Sequence, residues 1–194
     1  ADGKVALKGL FAFCPSAVVN DRFCVQNNNG YWMLYSFTTK KPVCNRLFRS
    51  VGYFWENVTL AVEDNQLELI DKKGCIVRVL SPNIIKAHNF NEGKACVQFI
   101  NGLYGFINEK GRIEPYKFDY ASDFSDDVAV VGNRLSNGNL QYSIINKAGK
   151  VLANLDINGI RILEHFHDRY LLCKDLTTNE FGLIDKKGQR LEIT

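Results

Sequence analysis

An eight-residue pattern recurs four times and limits the fold more than anything else in the chain. It reads Leu67-Glu68-Leu69-Ile70-Asp71-Lys72-Lys73-Gly74, then Tyr104-Gly105-Phe106-Ile107-Asn108-Glu109-Lys110-Gly111, then Tyr142-Ser143-Ile144-Ile145-Asn146-Lys147-Ala148-Gly149, then Phe181-Gly182-Leu183-Ile184-Asp185-Lys186-Lys187-Gly188. The closing glycines stand 37, 38 and 39 residues apart. That is the period of a structural repeat, in which each unit buries its apolar face on the next. Within each copy an aromatic or apolar residue, a spacer and two apolar residues predict a short strand. Asp or Asn, two further residues and Gly then predict a tight turn. The Asp or Asn side chain suits the first turn position, and glycine suits the left-handed residue that completes a three-residue loop. Apolar residues resume at Cys75-Ile76-Val77, Ile113, Val151-Leu152 and Leu191-Glu192-Ile193, so each octet is one arm and the turn of a hairpin.

A second pattern lies upstream of each octet. Phe124-Ser125-Asp126-Asp127-Val128-Ala129-Val130-Val131 is its clearest copy, and others begin at Trp55, Phe90 and Phe166. An apolar anchor, a polar turn and a strand follow one another. Glu63-Asp64-Asn65, Asn101-Gly102, Asn137-Gly138-Asn139 and Thr177-Thr178-Asn179 then turn the chain into the octet. Each repeat therefore holds about three strands in an antiparallel meander.

The expected class is all-β: about five repeats of roughly 35–42 residues in an open β-solenoid or propeller-like array, with little helix. Approximate repeats are 18–54, 55–89, 90–123, 124–165 and 166–194, in one domain over 1–194. The first is degenerate: Tyr31-Trp32-Met33-Leu34-Tyr35-Ser36 takes the octet's place, and Phe37-Thr38-Thr39-Lys40 closes it without glycine. Residues 1–17, with Val5, Leu7, Leu10, Phe11 and Phe13 ahead of Pro15, read as a strand or the tail of an earlier repeat. The stretches 41–54, 75–89, 112–123 and 150–165 read as a strand end and an irregular crossover, the last with a turn at Asp156-Ile157-Asn158-Gly159. Pro42, Pro82 and Pro115 fall in them, and proline cannot donate to a sheet ladder.

Thirteen Phe, eight Tyr and two Trp in 194 residues supply ample core material. No apolar run reaches the roughly 18–20 residues of a membrane span. Residues 1–97 carry 12 basic and 8 acidic side chains and residues 98–194 carry 12 and 13, too even a split for a nucleic-acid surface. A start at Ala1 fits a processed or trimmed product. Six cysteines are too sparse for a disulfide scaffold. Cys24, Cys75, Cys96 and Cys173 fall in predicted strands as small core residues, and pairing among Cys14, Cys24 and Cys44 stays open. No C-x-x-C pair is present, so neither a zinc ribbon nor a thioredoxin-type motif is supported.

Tyr104-Gly105-Phe106-Ile107-Asn108-x-x-Gly111, Pro115, Phe118-Asp119-Tyr120-Ala121 and Phe124-Ser125-x-x-Val128-Ala129-Val130-Val131 together resemble the bacterial WG-repeat family. The resemblance covers about residues 18–194 and is tightest over 95–135. Tyr104 and Phe181 stand where the family has Trp, and Met33, Glu68 and Ser143 where it has Gly. It implies a β-repeat module without a settled activity, in a bacterial protein either cytoplasmic or exported with its signal peptide removed.

Candidate chemistry is sparse. His165 and His167 would face one side of a strand and suit a metal, but no spacing nominates a third ligand, and Asp168 would point elsewhere. Asp119, Asp123, Asp126 and Asp127 lack a calcium-loop pattern and read as solvated turn carboxylates, as do the turn lysines at 72–73 and 186–187. Neither a serine elbow nor a phosphate-cradling loop is present, and no cofactor is expected. A Cys–His dyad assembled in space stays open, and a pocket joining His88, His165 or His167 to a cysteine and a carboxylate would favour an enzyme.

Core residues recur between repeats, whereas binding residues need not. The aromatics that break the pattern are therefore the candidate binding residues: Tyr31, Trp32, Tyr53, Trp55, Tyr116 and Tyr120. The competing reading is that they cap an open end of the array. Gly74, Gly111, Gly149 and Gly188 are assigned a turn role. The favoured function is a non-catalytic module that presents a repeat surface to a protein or carbohydrate partner. A hydrolase-type enzyme on the same scaffold and a structural spacer of a larger bacterial protein are the alternatives.

Overall fold

The structure is a computed structural model that describes residues 18–156, 159–163 and 165–191. The expected strand in 1–17, Cys14, residues 157–158 of one expected turn and the Glu192-Ile193 end of the last hairpin lie outside them. Strands and turns make up the regular structure of the described residues. They group into two compact units, Ala1–Pro82 with Glu109–Gly111, and Asn83–Asn108 with Arg112–Thr194.

In the first unit β1 (Arg22–Gln26) and β2 (Trp32–Ser36) form a hairpin. Strands β3 (Ser50–Val51), β4 (Val58–Glu63), β5 (Gln66–Asp71) and β6 (Ile76–Val79) form a four-stranded antiparallel meander in that order. The second unit holds three meanders. These are β7 (Ile84–Ala87), β8 (Lys94–Phe99) and β9 (Tyr104–Asn108); β10 (Tyr120–Ala121), β11 (Val128–Arg134), β12 (Leu140–Asn146) and β13 (Val151–Leu155); and β14 (Ile160–Ile162), β15 (Tyr170–Asp175), β16 (Phe181–Asp185) and β17 (Arg190–Leu191). The crossovers are more ordered than expected. Each of the four contains a short strand, β3, β7, β10 or β14, that pairs with the following hairpin.

Two turn types build these sheets. Four of the polar turns are two-residue hairpin loops with positive φ at both central positions: Asn20-Asp21 (46° and 68°), Glu92-Gly93 (51° and 81°), Asp126-Asp127 (56° and 67°) and Asp168-Arg169 (48° and 75°). Their flanking residues exchange both backbone bonds, as Ser125 and Val128 do at 2.9 and 3.2 Å. This is type I′ geometry, whose twist matches that of the strands. The octet turns work differently. Asp71, Asn146 and Asp185 each accept, through the side chain, the backbone N–H groups two and four residues ahead, at 2.8–3.1 Å. The side chain thus satisfies donors the tight loop leaves unpaired. The degenerate first copy keeps the plan: Ser36 Oγ accepts from the Thr39 N–H at 3.1 Å, and Lys40 adopts φ 59° in the glycine's place.

The core follows from the paired apolar residues of each octet. Leu69, Ile70, Phe106, Ile107, Ile144, Ile145 and Ile184 are buried, while Leu183 is half-buried. Successive strand residues point to opposite faces, so burying both means that both faces are covered. In the second unit Phe106 and Ile145 share one cluster with Phe118, Phe124 and Val131. Val130 and Ile144 share the next with Phe166, Leu171 and Ile184. Neighbouring sheets therefore pack face to face. In the first unit Phe48, Ala61 and Ile70 do the same with Trp32.

The octet turn is also where one sheet receives the next. Tyr116 donates its hydroxyl to the Lys147 carbonyl at 3.1 Å and lays its ring over Gly149, where a Cβ would stand 2.4 Å from the ring. In the first unit Arg22 and Arg78 donate to carbonyls of two other octet turns, those of Lys72 and Lys110, at 2.6 and 2.8 Å.

Gly149 and Gly138 both have positive φ, 78° and 86°, yet a Cβ at Gly138 meets nothing within 4 Å. Gly138→Ala is expected to cost about 1 kcal/mol, the left-handed penalty alone. Gly149→Ala is expected to cost at least about 1 kcal/mol more, because the Tyr116 ring must move. Urea unfolding of the two variants beside the parent checks the order, and equal costs would contradict the seating of Tyr116.

Candidate functional site

The candidate aromatics separate into groups. Tyr31 and Trp32 adjoin the Asn27–Gly30 turn between β1 and β2, whereas Tyr53 and Trp55 precede the turn into β4. The registers place these turns at opposite strand ends, because the Trp55–Val58 bridge adjoins the Val58–Asp71 pair beside the octet turn. Within the first unit Tyr31 and Trp32 therefore lie at the other strand end from Tyr53 and Trp55. Trp32 is half-buried and packs in both core clusters of the first unit. Tyr31 is 37% exposed and Tyr53 48% exposed. Trp55 is half-buried, and its indole N–H donates to the Glu109 carboxylate at 2.7 Å. That bond fixes the ring on a hairpin whose turn residues, Glu56 and Asn57, are exposed.

Tyr116 and Tyr120 belong to the packing of the second unit. Tyr116 sits 6.1 Å from Phe106 and 5.8 Å from Phe118, and burial pushes its hydroxyl up to about 12. Tyr120 lies between Tyr104, at 6.4 Å, and Tyr142, edge-on at 5.5 Å. Tyr142 continues into an open cleft of about 540 Å³, lined also by Arg134, Gln141, Leu155 and Asp156. Sequence reasoning missed this tyrosine ladder because Tyr104 and Tyr142 occupy the same octet position and so read as core. Their common hydroxyl was the available signal, since a buried tyrosine needs a polar outlet.

The acidic turn residues keep solvent contact, Asp127 most of all, and are also partners in a network. Glu92 accepts from the Asp127 N–H and Asp126 from the Arg169 N–H, both at 2.8 Å, so each polar turn of the second unit is bonded to the next. Lys147 reaches Asp127 at 2.7 Å and Glu92 at 3.3 Å, and Lys186 donates to the Asp126 carbonyl. Asp119 accepts from the Arg134 N–H at 2.7 Å. His165 and His167 are exposed, and the His167 pair with Asp168 at 3.4 Å is solvated. Exposed, screened pairs of this kind contribute little.

His88 and Asp123 are different. His88 Nδ1 lies 3.0 Å from Asp123 Oδ1, and the ligand atoms of His88, Cys96 and Asp123 all fall within 4.8 Å of one another. The strands bring this about: the His88 N–H donates to the Cys96 carbonyl at 2.9 Å across the β7–β8 edge, and the Cys96 thiol points at the Ala121 carbonyl, 3.7 Å away. Asp123 is steadied by its neighbour Ser122, whose backbone N–H and hydroxyl both bond Val130. The hydrogen bond to Asp123 raises the His88 pKa. Burial pushes the Cys96 thiol up to about 12, and the Asp123 charge pushes the same way. A cysteine nucleophile needs the reverse shift and an approach path. Cys96 is 1% exposed and shares its cluster with Phe106, Phe118 and Phe124.

Residues 104–133 match the family model described as the WG containing repeat, so the chain carries a WG repeat there. The matched stretch holds the Asn108–Gly111 octet turn, Tyr116 and the Asp126-Asp127 turn. No curated protein matches the chain in sequence. Among solved structures it resembles Hsv2p of Kluyveromyces lactis (10% identity, TM-score 0.53, 95% of this chain and 63% of that one). It also resembles the C-terminal WD40 domain of Sif2 (11%, 0.51, 90% and 55%) and the computationally designed Ika4 protein (14%, 0.50, 74% and 99%). The chain thus spans less than two thirds of the Hsv2p and Sif2 chains. At these identities the likeness is one of fold: meanders of the kind that form β-propeller blades.

Cys75 is exposed and Cys96 buried with its thiol at about 12. A thiol reagent at neutral pH is therefore expected to modify Cys75 in the folded protein and Cys96 only after denaturation. Mass spectrometry of the labelled peptides checks this, and fast modification of native Cys96 would restore the nucleophile reading.

Proposed function

We propose that the chain is a non-catalytic interaction module that takes a protein partner, with Tyr53 and Trp55 as its anchor. The WG repeat and the propeller-like fold support a repeat module, and the partner class is the step beyond them. The observation that carries the proposal is the Tyr53–Trp55 hairpin, with one ring half exposed and the other held by Glu109. A pre-oriented aromatic buries large area at low entropy cost, which is what a protein hot spot requires. Glu56 and Asn57 beside it provide a polar rim. Tyr31 and Trp32 are a second, separate contact in this reading. Tyr116, pinned over Gly149, serves the fold.

A carbohydrate is the second reading. It rests on the Tyr104–Tyr120–Tyr142 ladder and its polar cleft, since tyrosine rings beside amide and guanidinium groups suit a sugar. The hydrolase reading is disfavoured because, among the described residues, the thiol found beside a histidine and a carboxylate, Cys96, lies in the core. The spacer reading lacks a role for an exposed Tyr53 beside a half-buried Trp55 braced by Glu109.

A photo-crosslinking residue at position 53 is expected to capture one recurrent protein, whose affinity for the purified chain falls about tenfold or more on Trp55→Ala with little change in melting temperature. Capture equal to that of a crosslinker at exposed Lys187, or unchanged affinity on Trp55→Ala, would contradict the assignment. Glycan binding lost on Tyr142→Ala would move it to the cleft.

A further inference from the structure

We infer that His88, Cys96 and Asp123 form a binding site for a single zinc-like divalent cation. The three side chains come from separate segments of the second compact unit: the end of β7, the middle of β8 and the loop that follows β10. They present one nitrogen, one sulfur and one oxygen atom, all within 4.8 Å of one another. That donor set suits a borderline-soft ion such as Zn²⁺, whereas calcium and magnesium prefer oxygen alone. Zinc bonds of roughly 2.0–2.3 Å put tetrahedral ligand atoms about 3.3–3.8 Å apart. The His88–Asp123 separation of 3.0 Å is already near that value, and the remaining ligand separations lie within 4.8 Å, about an ångström from it.

The surroundings favour a metal in two respects. The ligands are held before the ion arrives, because the His88 N–H is bonded to the Cys96 carbonyl and the Ser122 hydroxyl to the Val130 N–H. Preorganised ligands lose little entropy on binding. The charges also balance. A dication with one thiolate and one carboxylate is neutral, which suits a half-buried place, and the thiol proton leaves to solvent as the metal–sulfur bond forms. Lys86 is the neighbouring positive charge and its field opposes the cation. His88 and Asp123 remain about one-third exposed, so the ion enters from their side and keeps its fourth position for water. Cys96 forms the floor.

The simpler alternative is a His88–Asp123 ion pair above an inert thiol. Titration of the full chain with Co²⁺ separates the two. The metal site predicts a thiolate-to-cobalt charge-transfer band that saturates at one ion per chain and is displaced by Zn²⁺. The band should vanish in Cys96→Ser and survive in Cys75→Ser, and affinity should fall at least about tenfold in Asp123→Asn. Zn²⁺ should also raise the melting temperature of the parent and leave that of His88→Ala unchanged. Should Cys96→Ser fail to fold, His88→Ala and Asp123→Asn, which alter partly exposed side chains, carry the test. No band, a band lost in Cys75→Ser, or equal Co²⁺ affinity in the parent and Asp123→Asn would overturn the site and leave the ion pair.

Discussion

The fold depends on a side chain of one sheet lying over the octet turn of another. Tyr116 over Gly149 shows the physics best. The turn needs a left-handed residue, and the ring needs a position without a Cβ, so one glycine meets two demands. The hydroxyl then bonds the Lys147 carbonyl, which gives the contact direction as well as area. In the first unit Arg22 and Arg78 donate to octet-turn carbonyls as well, those of Lys72 and Lys110, so the use of these turns as seats is not confined to tyrosine. Around it, paired apolar octet residues bury both faces of each sheet, and the cost of exposing either face makes an isolated meander unfavourable.

Much of this was legible in the sequence because it rests on local chemistry. Asp71, Asn146 and Asp185 announce their turns, since an Asx side chain followed by glycine has few other uses. The recurring apolar pairs announce strands covered on both faces. Leu183 is half-buried where its counterparts are buried. The crossovers were less legible. A two-residue strand such as Tyr120–Ala121 has no periodicity to detect, and exists because β11 offers it an edge.

The site was legible only in part, for a different reason. Exposure cannot be read from aromatic identity: Tyr53 and Tyr116 look alike in sequence, yet one is half exposed and the other is fixed over a glycine. The bonds of the acidic turns have no local signal in the sequence, because the donors to their carboxylates are backbone N–H groups 35 and 43 residues away. His88, Cys96 and Asp123 have no motif spacing at all. Their meeting depends on the β7–β8 register and on the approach of the β10 loop, and both are properties of the folded sheets.

The most direct test of the seating device is a double-mutant cycle between Tyr116 and Gly149. If the ring rests on the turn, Gly149→Ala should be much less costly in a Tyr116→Ala background than in the parent, with a coupling of about 1 kcal/mol or more in urea unfolding. Additivity to within about 0.5 kcal/mol would mean that the two positions do not meet, and would contradict the account of how the sheets are joined.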